Sequence, residues 1–170
     1  HRAQSTHSRS VERSSGSPSA AVRLHPTNAI EQWLMHQSDV APLNTEALWL
    51  EALPILQVLW PELRAETYVR SLASMQERGY ELFGIRSEDE LVAVAGVQEI
   101  ELLARGKILW LFDMATHPQH QGKGFGTRLL RFLQGYAQAN GYSRLLLHTS
   151  ASREATIAFY RSQLGEPFGV

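Results

Sequence analysis

Three features of the 170-residue sequence predict an α/β fold in a single domain. Apolar residues recur at helical spacing as far as Gly79, then switch to strand-like runs between Glu81 and Thr116. A polar, glycine-rich loop follows and leads into an amphipathic helix, so that strand, loop and helix form one unit. The length suits one domain with a hydrophobic core, and 44% of the residues are hydrophobic.

Charge and composition remove several functional classes. Sixteen Lys and Arg against 17 Asp and Glu leave a formal charge of −1, which argues against a general electrostatic grip on nucleic acid or an anionic membrane. No apolar run approaches the roughly 20 residues of a membrane-spanning helix. Without cysteine there is no disulfide frame, thiolate nucleophile or Cys-based zinc site. A cytoplasmic protein is the expectation.

The first 20 residues hold seven Ser and three Arg, with Val11 as their one large apolar residue. Such a stretch buries too little surface to offset its ordering entropy. Residues 1–35 therefore read as a flexible extension, a tail or expression remnant, with an organelle transit peptide as the alternative. Asn28 can cap a short helix through Trp33. Residues 36–170 form the domain.

Within the domain, SDVAPL (38–43) reads as a short strand. Asn44 or Thr45 caps a largely apolar helix that Pro54 interrupts. A second helix covers Ala65–Arg78, with Tyr68, Leu72 and Met75 on one face and Gly79 ending it. Residues 81–86 and 91–100 read as a hairpin, and Arg105-Gly106 turns into the strand KILWLFDMAT (107–116). After the loop HPQHQGKG, a helix from Phe125 to Asn140 buries Phe125, Leu129, Phe132, Leu133 and Tyr136. SRLLLHTS (143–150) reads as a strand buried on both faces. A helix over 153–162 follows, and PFGV is left for a last strand.

The glycine loop is placed to hold an anion, because a helix N-terminus exposes unpaired N–H groups and about half a positive charge. Three readings compete. A P-loop needs Ser or Thr after Gly122-Lys123, where Gly124 stands. A dinucleotide fingerprint needs Gly or Ala where Thr127 stands, and an acid about 20 residues on. The pattern Gln/Arg-x-x-Gly-x-Gly fits, through Gln121, Gly124 and Gly126.

FDMATHPQHQGKGFGTRLL (112–130) resembles motif A of the GNAT-type N-acetyltransferases. The resemblance extends to the strand LLLHTS, to REATIAFYRSQLG with its Phe159-Tyr160 pair, and upstream through residues 81–110. It covers about 130 residues. It implies a mixed sheet splayed between its fourth and fifth strands, flanked by helices on both faces, with acetyl-CoA in the gap. Backbone groups of Met114, Ala115 and Thr116 would hold the pantetheine arm. The loop Gln121, Gly122, Lys123, Gly124, Phe125, Gly126 and Thr127 would hold the pyrophosphate. Arg153 stands where many relatives carry Asn and can either reach a CoA phosphate or lie in solvent.

The same resemblance implies direct transfer of acetyl to an amine, with Tyr160 as general acid to the departing sulfur. The base stays open between Glu101, ranked first, Asp113 and a water-mediated route. An acid inside an apolar strand, as Asp113 is, needs a partner or a function. His117 and His120 are read as loop histidines, no metal is implied, and Ser150 and Ser152 lack triad partners. Trp49, Trp60 and Trp110 are read as core or interface aromatics. The partners are acetyl-CoA and an amine; the stop at Val170, where relatives commonly finish with more sheet, either leaves an edge that a second copy completes as a homodimer or means that the sequence continues. The alternative function is a non-catalytic acyl-CoA-binding regulatory module.

Overall fold

The structure, a computed structural model, describes residues 39–148 and 154–164. The elements are β1 (Val40–Pro42), α1 (Glu46–Leu56), α2 (Ala65–Glu77), β2 (Tyr80–Ser87), β3 (Glu90–Leu102), β4 (Gly106–Thr116), α3 (Phe125–Ala139), β5 (Leu145–Leu147) and α4 (Glu154–Leu164), with a short 3₁₀ turn at Pro118–His120. The strands form one sheet in chain order. β1 to β4 run antiparallel, and α3 is the crossover that brings β5 parallel to β4.

Each face of the sheet carries its own core. α3 buries Leu129, Leu130, Phe132 and Leu133 completely, against Ala95, Val97, Leu109 and Leu111. On the other face α1 and α2 bury Trp49, Ala52, Ile55, Leu56, Tyr68 and Leu72 over Tyr80, Leu82, Val94 and Ala115. Each large side chain so buried contributes about 1.5–3 kcal/mol against the entropy of ordering the chain.

Local signals explain most boundaries. Thr45 Oγ1 accepts from the Leu48 N–H, so Thr45 rather than Asn44 caps α1. Pro54 does not interrupt that helix, which runs two residues past it to Leu56. Close to the C-terminal end, the missing N–H removes one bond and breaks nothing downstream. Gly79 and Gly141 take left-handed φ values of 90° and 73° just past α2 and α3.

Two expectations change. The strand expected over 143–150 is confined to Leu145–Leu147, and its residues are half-buried rather than enclosed. Among the described residues it pairs only with Leu109, Trp110 and Leu111 of β4 and is the last strand of the sheet. The Asn28 helix, Arg153, Ser150, Ser152 and the PFGV strand lie outside the described residues.

Candidate active site

β4 outlasts its parallel partner. Pairing with β5 stops at Leu111 while β4 runs to Thr116, so among the described residues its last five positions have no strand on that side. The His117 N–H donates to Val92 O at 2.8 Å, which sets the alternation of the preceding peptides. Met114 and Thr116 then direct N–H and C=O away from β3 into the opening, while Ala115 directs its own toward β3. Of the three residues expected to offer backbone there, two do.

The glycine loop closes onto this opening. Gln121 Nε2 donates to Thr116 O at 3.2 Å and ties the loop to the strand end. Gly122 and Gly124 have φ of 75° and 85°, a region that a side chain disfavours. Gly124 is the N-cap of α3 and supplies no capping side chain to the first-turn N–H groups of the helix, the kind of end that suits an anion. Gly126 serves differently. A Cβ there would sit 3.6 Å from Phe159 Cζ and 3.7 Å from Thr116 Oγ1, so the strand end, the α3 start and α4 converge on it. Lys123 is exposed at the rim, Thr127 is half-buried and Phe125 is buried.

The histidines support the loop. His117 caps the 3₁₀ turn through its Nδ1, accepting from the Gln119 N–H at 3.3 Å. His120 meets Glu90 at 3.2 Å, with its ring 5.9 Å from that of Phe125.

Tyr160 lies half-buried on α4 against the α3-side core, its ring 5.3 Å from Phe159. Burial pushes its hydroxyl up to about 12, so the phenol is protonated at neutral pH.

The two candidate bases lie apart. A bulge sets Gly96 opposite Asp113 and Val97 opposite Leu111, leaving Phe112 as the extra residue of β4. The Asp113 carboxylate turns to the α1–α2 face. There Oδ1 accepts from Trp60 Nε1 at 2.9 Å and Oδ2 from Tyr80 Oη at 2.8 Å. Tyr80 reaches it by crossing over Gly96, where a Cβ would overlap the Tyr80 hydroxyl. Burial, and then the Asp113 charge, hold the Tyr80 phenol well above its usual range. Tyr68 is shifted upward by the same two causes, and its buried hydroxyl has no hydrogen-bond partner among the described residues.

Glu101 is exposed and pairs in register with Lys107 at the far end of the hairpin. It is five residues, or about 17 Å, along β3 from Gly96. It also points with Val97 and Glu99 to the opposite face. Glu99 is held by Lys107 at 2.8 Å, which keeps its carboxyl below the usual range. The structure thus brings Asp113, and not Glu101, to the open part of β4.

Sequence reading missed Tyr80 and Gly96, and of its two readings for Trp60, core or interface, the core one falls, since the residue is 53% exposed. One signal was available, since a glycine inside an apolar strand marks a close approach.

Residues 45–165 match the acetyltransferase (GNAT) family. An uncharacterised N-acetyltransferase of Bacillus subtilis, YhdJ, is 29% identical over 124 residues, covering 72% of this chain and 87% of that protein. The aminoglycoside N-acetyltransferase AAC(6')-Iy in complex with CoA superposes with a TM-score of 0.69 at 13% identity, over 78% of this chain and 90% of that one. A ribosomal-protein-alanine N-acetyltransferase from Brucella melitensis gives 0.63 at 23% identity, over 73% and 89%. The two structures share the fold, and the family match spans the open strand, the glycine loop and Tyr160 together. The chain belongs to the GNAT family of acetyltransferases.

Proposed function

We propose that the protein is an acetyl-CoA-dependent N-acetyltransferase that passes acetyl directly to a primary amine. The open half of β4, ending at a loop of left-handed glycines on a helix N-terminus, carries this reading. The Bacillus relative is named as an N-acetyltransferase, and a solved neighbour holds CoA.

Acetyl-CoA supplies an activated thioester. The N–H groups of the Gln121–Thr127 loop suit its pyrophosphate, and the Met114 and Thr116 peptides suit an extended pantetheine arm. From Thr116 the strand runs back about 10 Å to Asp113, so an arm laid along it ends beside that carboxylate.

The proton count then closes with two side chains. Asp113, directly or through a water, takes one proton from the ammonium nitrogen. The neutral amine bonds to the acetyl carbon as the carbon–sulfur bond breaks. Tyr160 gives its proton to the departing sulfur, and the second proton lost by nitrogen restores the phenol. One proton is released for each amide formed.

Calorimetric titration with acetyl-CoA, beside ATP and NAD, on the wild type and on Gly124→Glu tests the cofactor site. A thiol-release assay over a panel of amines tests the chemistry. Micromolar acetyl-CoA binding lost in the variant, with thiol release from at least one amine, is the expected result. Binding with no release from any amine would make the protein a non-catalytic acyl-CoA module. Absence of binding would overturn the reading altogether.

A further inference from the structure

From Pro118 to Gly124 every residue is exposed except His120, whose side chain is only 16% accessible. A polar ring kept from water in the middle of a surface loop needs a reason. His120 closes the 3₁₀ turn and makes two contacts outside it. Its Nε2 meets Glu90 Oε2 at 3.2 Å, and its ring meets the Phe125 ring at 5.9 Å in an edge-on arrangement. Against a carboxylate oxygen the ring nitrogen is the donor.

Both contacts end on braced positions. Glu90 opens β3 and pairs in register with Ser87 across a turn whose Glu88 and Asp89 are left-handed. Arg86 holds that turn, donating through Nη1 to Asp89 O at 2.6 Å and to Glu51 Oε1 of α1 at 2.7 Å. Phe125 is buried and opens α3, with the Arg128 guanidinium 5.6 Å from its ring and paired in turn with Asp39. His120 thus ties the start of β3 to the start of α3. The four residues enclosed between His120 and Phe125 include the left-handed Gly122 and Gly124. Glycine loses more conformational freedom on ordering than any other residue, so such a loop gains most from being held from outside.

We propose that His120 is a positioning residue for the cofactor, which clamps the Gln121–Gly124 backbone in its anion-receiving shape before the pyrophosphate arrives. This rests on the acetyltransferase reading above and adds to it a residue that acts through the loop. An exposed ion pair contributes little to global stability, so the effect belongs to binding, where ordering the loop in advance lowers the cost of association.

Calorimetric titration with acetyl-CoA is run on the full chain as wild type, Glu90→Ala, His120→Ala, the double variant and His120→Gln. Each alanine alone should weaken the affinity by roughly tenfold. The double variant should bind no more weakly than His120→Ala, because the two residues share one contact. His120→Gln keeps a side-chain N–H for Glu90 and should recover most of the loss. KM for acetyl-CoA should rise in step with kcat at saturation unchanged. Glu90→Ala, on an exposed side chain, should melt with the wild type and guards against a misfolded His120 variant. The Arg128 amide, which donates to Gly124 O at 3.0 Å, reports on the loop without a ligand, and its hydrogen exchange should quicken in both alanine variants. Wild-type affinity in the alanine variants, additive losses in the double variant, or a fall in kcat in place of a raised KM would overturn the clamp. If the wild type binds no acetyl-CoA while the exchange responds as expected, the acetyltransferase reading falls and the clamp on the loop stands.

Discussion

At Gly96 a hydrogen stands where any other residue would press a carbon into the Tyr80 hydroxyl. Gly96→Ala therefore forces Tyr80 off Asp113 or bends β3, at a cost of about 1–3 kcal/mol. The loss should shrink when Tyr80 is also replaced by Leu, and a double-mutant cycle followed by thermal denaturation measures the coupling. An additive pair would mean that the two residues do not compete for one space. Tyr160 makes a separate residue-scale prediction. Its proton is held to about pH 12 by burial, so kcat should show no alkaline limb from this group below pH 10. Tyr160→Phe should cost roughly 10²–10⁴-fold in kcat, with the calorimetric affinity for acetyl-CoA retained. Affinity lost in step with turnover would make the residue part of the binding wall instead.

The loop between β4 and α3 separates two uses of glycine that look alike in sequence. Gly124 is left-handed, so Gly124→Ala should destabilise by about 1–2 kcal/mol and weaken acetyl-CoA binding as the loop shifts. Gly126 has helical backbone with room for a methyl at ordinary contact distance. Gly126→Ala should therefore gain about 0.5–1 kcal/mol in the free protein. If the open space serves the ligand, the same variant melts higher and binds acetyl-CoA more weakly. A variant that melts higher and binds equally well would give Gly126 no ligand role.

This loop was legible because its glycines, helix and flanking strand are neighbours in the chain. β5 was less so, since a run of three leucines does not say where its partner strand leaves it. Of the Asp113 cluster only the acid itself was legible, as a carboxylate inside an apolar strand. Trp60 and Tyr80 meet Asp113 across 53 and 33 residues of sequence, through a bulge that no local pattern announces. Read from the sequence alone, Glu101 ranked above Asp113 as the base. Only the register separates them onto opposite faces.

Across the whole molecule the five tyrosines behave as one class. Tyr68, Tyr80, Tyr136, Tyr142 and Tyr160 are all raised, each first by burial. Tyr80 and Tyr136 gain further from hydrogen bonds to Asp113 and Glu81. In the unfolded chain each phenol titrates near pH 10. Tyr142 and Tyr160 in the folded chain wait until about 12, and Tyr68, Tyr80 and Tyr136 are raised as well. Above pH 10 the unfolded state thus loses protons that the folded state keeps. The stabilisation is fully present below pH 10 and drains away as pH rises, with a slope set by up to five protons. Phenolate absorbance should therefore stay low past pH 10 and then rise in one steep step, together with the loss of helical circular dichroism. Guanidinium-unfolded protein should titrate broadly around pH 10. Phenols that ionise near pH 10 while the dichroism holds would show that the tyrosines are open to solvent, and with that both the Tyr160 proton reserve and the Tyr80–Asp113 bond would lose their physical basis.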